Sequence, residues 1–301
     1  MKLVPSLLVS VCVCSLYGAN TMTYQSYNPS DGKFDLTQSI QYVLPDPGKF
    51  GPGPYPVFIY TPGTYEAYTS WLANLFTSQM AARGFLSASV QYMNTESNQS
   101  CSQYQPRAQG IYDANRSTSA VGVLCSLSTA NCSKGIVTSG ISQGGELVVL
   151  SRNYAPNVKA IYALSMGDYF VNLGFPLPCV DNANTQIPPN RLTIVNGASD
   201  PFFGGQSPIQ NVSGISCPAG STQCWSADGS GAGWYIVQDS QNRNGFAGHC
   251  YMFDTGTQAY ACVGLPDPNW LPPSTHNWSL APNLDWLASF GTHRNFSADG
   301  Q

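Results

Sequence analysis

A serine hydroxyl is a weak nucleophile until a neighbouring base takes its proton. Chemistry at serine therefore needs an accessible serine, a histidine, and amide donors for the oxyanion that forms. The run Gly140-Ile141-Ser142-Gln143-Gly144 has the form G-x-S-x-G. Small residues two before and two after the serine let the chain turn sharply from strand to helix, with the serine at the apex. A chain with 29 glycines also produces such a run by accident, as a plain turn, so the flanking pattern has to decide. Lys134 to Ser139 reads as a short apolar strand, and Gln143 to Tyr154 reads as a helix through Leu147, Val148 and Leu150, with extra room at Gly145. Strand, tight turn and helix make Ser142 the candidate nucleophile. Three histidines, His249, His276 and His293, are the available bases.

The elements that would carry these residues alternate between strand-like and helix-like patterns from about Leu36 onward. This argues for a mostly parallel sheet with helices on both faces. Leu36 to Leu44 alternates as an early edge strand, followed by a turn-rich connection from Pro45 to Pro54. Pro56 to Tyr60 is the next strand. Ser70 to Arg83 carries Trp71, Leu72, Leu75, Phe76 and Met80 at helical spacing and stops at Gly84, and Phe85 to Tyr92 resumes as strand. A helix-like stretch covers Ala108 to Leu124. Beyond the serine motif, Val158 to Ser165 is a strand, Met166 to Asn190 an irregular insertion, Arg191 to Val195 and Gly233 to Gln238 further strands, and Leu280 to Phe290 the last helix. Neither repeats nor low-complexity blocks interrupt this order, which favours one domain from residue 20 to residue 301.

Only 9% of the 301 residues are charged, so surface polarity comes mainly from neutral groups, which suits an extracellular protein. Twelve Lys and Arg against sixteen Asp and Glu, with no basic run, give no surface on which a phosphate backbone would release counterions. Nucleic acid is excluded as a partner. Residues 1–19 have a lysine, an apolar run and small residues at Gly18 and Ala19, the layout of a secretory signal peptide that would export the chain. The apolar run is too short to span a bilayer, so no stable membrane insertion is expected.

Beyond that leader lie Cys101, Cys125, Cys132, Cys179, Cys217, Cys224, Cys250 and Cys262. An oxidising compartment would pair them, and the short spacings favour Cys125 with Cys132, Cys217 with Cys224 and Cys250 with Cys262. A zinc site is the rival reading, but no C-x-x-C pair has a matching second pair, and neither a metal nor an organic cofactor is expected. Sequons at Asn98, Asn115, Asn131, Asn211, Asn277 and Asn295 would carry glycans in a host that attaches them.

From Leu36 to Phe290 the chain resembles the α/β-hydrolase superfamily, and more narrowly its dienelactone-hydrolase-like and secreted polyester- and lipid-esterase branches. VFIYTPGT resembles the strand and oxyanion loop, MAARGFLSASVQY the following helix and strand, GISQGG the elbow, and RLTIVNGASDPFF the acid-bearing strand end. The resemblance implies an α/β fold with a mostly parallel central sheet flanked by helices and disulfide-stapled insertions. It also implies oxyanion amides at Gln143 and at Thr64 in Thr61-Pro62-Gly63-Thr64, where the alternative is a simple Pro-Gly turn. The orienting acid falls on Asp200, past the strand ending at Val195, with Asp168 the alternative. The base falls on His249, beside Gly248 and a loop of about ten residues past the last strand. His276 competes because it precedes the final helix, although the sequon at Asn277 argues for exposure there. Tyr65, Tyr68 and Trp71 follow the oxyanion loop and would line an apolar pocket or simply pack in the core. Met166 to Asn190 and the Cys217 to Cys224 region would overhang the cleft.

The expectation is a monomeric, secreted serine hydrolase that cleaves a small-molecule, lipid or polymeric ester through Ser142, His249 and Asp200. A peptidase or thioesterase would use the same machinery, and a hydrolase-like binding or adhesion protein would keep the fold without the chemistry.

Overall fold

The computed structural model describes residues 18–95, 100–172, 174–254, 262 and 264–291. The expected leader, the sequons at Asn98 and Asn295, and His293 lie wholly or mostly outside these residues.

Nine strands form one sheet: β1 (Asn20–Asn28), β2 (Lys33–Val43), β3 (Val57–Thr61), β4 (Leu86–Val90), β5 (Ile136–Ile141), β6 (Val158–Leu164), β7 (Leu192–Gly197), β8 (Gln223–Trp225) and β9 (Gly233–Val237). Their order is β1-β2-β4-β3-β5-β6-β7-β9-β8. The six strands from β4 to β9 run parallel, while β1, β2 and β8 pair antiparallel at the two edges. This is the mostly parallel central sheet, flanked by helices, that the sequence leads one to expect.

The interior strands are apolar because both of their faces are covered. All residues of β3, β4, β5 and β7 are buried. Alternate side chains enter two separate cores. Val57 and Ile59 join the core beneath α2 (Cys101–Tyr112), α3 (Ala120–Cys125), α4 (Gln143–Val149) and α5 (Gln206–Ser213). Phe58 and Tyr60 join the opposite core beneath α1 (Trp71–Ala81) and α6 (Leu280–Ala288). The α1 helix starts where the Ser70 hydroxyl accepts the Ala73 amide at 3.0 Å, and it buries Leu72, Phe76 and Met80 on one face. Gly84 takes a φ of +93° just past its end.

Several elements differ from the sequence expectation. The first strand is Asn20–Asn28, a polar segment paired to β2 that places few side chains in the core and so shows no apolar run. The stretch read as one helix from Ala108 to Leu124 is two: α2 starts at Cys101 and ends at Tyr112, and the Ser119 hydroxyl, accepting the Gly122 amide at 2.9 Å, starts α3 afresh. The helix after Ser142 ends at Val149, and a separate turn covers Ser151–Tyr154. Strand β8 falls inside the segment expected only to overhang the cleft.

Four disulfides are present. Cys125–Cys132, Cys217–Cys224 and Cys250–Cys262 are the expected local pairs, and Cys101–Cys179 joins α2 to the insertion after β6. Among the described residues no helix is long and apolar enough to cross a membrane, and no group of His, Cys, Asp and Glu is arranged to hold a metal ion.

Candidate active site

Ser142 stands between β5 and α4 with φ +55° and ψ −126°. A residue with a Cβ rarely takes this region, and strain of about 1–3 kcal/mol persists only where the surroundings enforce it. The two motif glycines show how they do so. A Cβ on Gly144 would clash with the carbonyls of Thr61 and Pro62, and one on Gly140 would clash with those of Gly144 and Thr61. The elbow therefore closes directly onto the end of β3, where Thr61 lies opposite Gly140 in register. Gly63 lies against the turn itself: a Cβ there would be 3.4 Å from Ser142 Cβ. The serine remains partly accessible, whereas the flanking Ile141 and Gln143 are buried.

The Ser142 amide donates to the Leu164 carbonyl at the end of β6, at 2.9 Å. The next residue, Ser165, is also strained, with φ +50°, and its hydroxyl donates to the His249 carbonyl at 2.6 Å. Adjacent residues at one strand end thus hold the elbow and the histidine loop. The third non-glycine residue with positive φ among the described residues is Tyr65, at +59°, in the turn after β3.

His249 and Asp200 are brought together. His249 Nδ1 lies 2.9 Å from Asp200 Oδ2, with both residues buried. The other carboxylate oxygen of Asp200 accepts the amides of Phe202 and Phe203 at 2.8 and 3.2 Å, which fixes the carboxylate plane. The Phe202 ring stands edge-on to the imidazole, with centroids 4.8 Å apart. The acid and histidine loops are strapped to each other. The Ser199 amide donates to the Ala247 carbonyl at 2.9 Å, and Asp239 bridges the two loops by accepting the Ala247 amide at 2.8 Å and the Ser199 hydroxyl at 2.9 Å. Only glycine fits at 197, because a Cβ would strike the carbonyls of Ala247 and Gly248.

The alternatives sit elsewhere. His276 is exposed and stacks flat on Trp278 with centroids 5.7 Å apart. Asp168 Oδ2 accepts the Asn211 side-chain amide at 2.7 Å. Burial, helped by the nearby Asp181 carboxylate, pushes the Asp168 carboxyl up to about 6. Of the three aromatics after the oxyanion loop, Tyr65 is exposed and Trp71 is half-exposed, edge-on to Phe253 at 5.6 Å. A recess lined by Lys49, Arg83, Lys134 and Asp285 contains none of these residues and opens at the opposite, amino-terminal end of the central strands.

The turn carrying Thr64 is held by residues that sequence reasoning passed over. Tyr92 lies with its hydroxyl 2.8 Å from the Pro62 carbonyl and 3.1 Å from Gln143 Oε1, tying the turn to the elbow helix. The Asn94 side-chain amide donates to the carbonyls of Gly63 and Glu66 at 2.7 and 2.8 Å. Glu66 is the one signal that the sequence displayed, an acid just past the loop in a chain poor in charge. Asp239, two residues past the end of β9, had a comparable one.

No family model matches the chain, and no curated protein matches it. Solved structures that align with it include a hypothetical protein from Pseudomonas aeruginosa, at 17% identity over 56% of this chain and 50% of that one, with a TM-score of 0.39. A lipase/esterase from Lactobacillus plantarum aligns at 18% identity over 61% of this chain and 80% of that one, with a TM-score of 0.41. An acylaminoacyl peptidase from Pyrococcus horikoshii aligns at 13% identity over 66% of this chain and 34% of that one, with a TM-score of 0.42. The chain thus spans half the length of the Pseudomonas protein and a third of the peptidase.

Proposed function

We propose that the chain is a secreted serine hydrolase that cleaves carboxylic esters through an acyl-enzyme, with residues 20–301 as its single hydrolase domain. What carries this reading is the 2.9 Å pairing of His249 with Asp200 beside a strained Ser142 elbow bonded to the same strand end.

In this reading His249 Nε2 takes the Ser142 hydroxyl proton as the serine oxygen attacks the ester carbonyl. The backbone amides of Thr64 and Gln143 receive the oxyanion. Collapse breaks the bond to the alkoxide, which leaves as an alcohol with the proton from His249. Water then repeats the sequence on the acyl-enzyme and releases the acid. Asp200, bonded to Nδ1, holds the tautomer whose Nε2 is basic and stabilises the imidazolium. Four disulfides support an oxidising compartment. The sequon residues Asn115 and Asn277 are exposed and open to glycosylation, while the Asn211 amide is engaged with Asp168.

The test is labelling by a fluorophosphonate probe together with hydrolysis of p-nitrophenyl esters. Wild type is expected to label and turn over, and Ser142→Ala to do neither. A folded wild type that does not label, or labelling that survives Ser142→Ala, overturns the proposal and favours a binding protein on a hydrolase fold.

A further inference from the structure

The turn from Gly63 to Glu66 is closed by the Glu66 amide donating to the Gly63 carbonyl at 3.1 Å, with Tyr65 left-handed at its third position. Such a turn prefers glycine at that position, so a tyrosine there needs external support. Asn94 provides part of it, through its two side-chain bonds and through its carbonyl, which accepts the Tyr65 amide at 3.2 Å. Glu66 provides the rest from within the turn. Although the residue is partly exposed, its carboxyl is turned inward. One oxygen accepts the Gly63 amide at 2.8 Å and the other accepts the Ser70 hydroxyl at 2.6 Å, with the Tyr60 hydroxyl 3.2 Å from both. One carboxyl thus joins the loop, the end of β3 and the N-cap of α1.

On the reading of this site as a serine hydrolase, we infer that Glu66 is the positioning residue of the oxyanion loop, its carboxylate holding the strained turn that presents the Thr64 amide beside Ser142. The charged form is the one that does this. Three donors converge on two oxygens, bonds to a carboxylate are about twice as strong as bonds to a neutral acceptor, and protonation takes one of the oxygens for an O–H. The titratable groups facing it are the Tyr60 and Tyr92 phenols, which burial raises well above their ordinary range and so keeps neutral. Among the described residues no counter-charge offsets the burial, and Glu66 is pushed up to about 7.

The sign of the stability effect follows. A carboxyl whose folded value is raised above its unfolded one favours the folded state at low pH, and that contribution is lost as pH rises through about 7. At pH 8 the carboxylate is therefore retained against stability.

The experiment measures kcat, KM and Tm for wild type, Glu66→Gln and Glu66→Ala on a p-nitrophenyl ester between pH 5.5 and 9. In Glu66→Ala kcat is expected to fall on the order of 10²-fold with KM within about twofold, as when one oxyanion donor is lost. Glu66→Gln keeps the shape and one acceptor. It should lose about tenfold in kcat, show one ionisation fewer on the acid limb of kcat, and melt at or above wild type at pH 8. A Glu66→Gln that matches wild type in kcat and in acid limb overturns the proposal, as does one whose lost activity tracks a lowered Tm at pH 8. A wild type that turns over no ester overturns the hydrolase reading and this inference with it; an active wild type beside unaffected Glu66 variants overturns this inference alone.

Discussion

The turn from Thr61 to Glu66 and the loop from Ala247 to Tyr251 both lie over the carboxyl ends of the central strands, yet they are restrained by different physics. The first is held by side-chain hydrogen bonds that converge from Tyr60, Ser70, Tyr92 and Asn94 on a strained turn, with one ionisable carboxyl at the centre. The second is held by backbone straps to the acid loop, by the Ser165 hydroxyl, by the rings of Phe202 and Phe203 against the imidazole, and by the Cys250–Cys262 bridge one residue past His249. Hydrogen bonds to a carboxyl change with pH; a covalent bridge and ring packing do not. The base side, unlike the oxyanion side, should therefore respond to reductant.

The comparison breaks most sharply at the base itself. His249→Ala should lower kcat on the order of 10⁶-fold, and Asp200→Asn, which reverses the donor at Nδ1, about 10⁴-fold. His276→Ala, which removes only an exposed ring stacked on buried Trp278, should leave kcat within twofold. Ester hydrolysis by the three purified variants decides this. A large loss in His276→Ala beside an active His249→Ala would return the base to the position before the last helix.

Those residues were legible because their surroundings were regular. The interior strands are covered on both faces, so VFIYT and IVTSGI appear as continuous buried runs and fix where the turns between strand and helix fall. A motif glycine, an acid and a histidine placed at such ends can be found by position. What escaped notice was what depends on partners distant in sequence. Cys101 pairs across 78 residues with Cys179, and nothing local marks that pairing. Asn94 meets Gly63 across 31 residues, and Asp239 meets Ser199 across 40. The edge strand Asn20–Asn28 also escaped, since its polar residues face water along most of its length.

The reductant half of the contrast sharpens through two disulfides. By loop-closure entropy, removing Cys101–Cys179, which closes 78 residues, should cost about 4.5 kcal/mol, and removing Cys250–Cys262, which closes 12, about 2.8 kcal/mol. The order should invert for catalysis. Paired alanine substitution at Cys250 and Cys262 frees the residue that follows His249 and should lower kcat about tenfold at a temperature where the protein is still folded. The Cys101 and Cys179 pair should leave kcat within twofold. Urea unfolding and steady-state rates on the same preparations check both orders, and equal kcat losses would show that the bridge beside His249 has no special hold on the base.

A smaller effect is expected on the oxyanion side from Asn94→Ala. It removes the donors to Gly63 and Glu66 carbonyls at a residue that is 9% exposed. Leaving buried acceptors without partners costs about 1–3 kcal/mol, and the turn should lose definition. kcat should fall several-fold to about tenfold, with little change in KM. Unlike Glu66→Gln, this variant should keep every ionisation of the wild-type pH profile.

The smallest effect on activity, and the cleanest on stability, belongs to Asp168. Its carboxyl accepts Asn211 and faces Asp181, at the end of β6 but on a separate loop from His249. Burial raises it to about 6, above the ordinary aspartate value near 3.9. Its folded state therefore holds a proton that the unfolded chain has already released. The stability this confers is complete below the unfolded value and lost as pH climbs through about 6, so at pH 8 the ionised group is a net cost. Asp168→Asn should raise Tm more at pH 8 than at pH 4.5, with kcat within twofold of wild type at both. Melting curves and ester hydrolysis at those two pH values separate the two acids. A fall in kcat near that of Asp200→Asn would make Asp168 the partner of the base, and a Tm gain equal at both pH values would show that Asp168 titrates in the folded protein as it does in the unfolded chain.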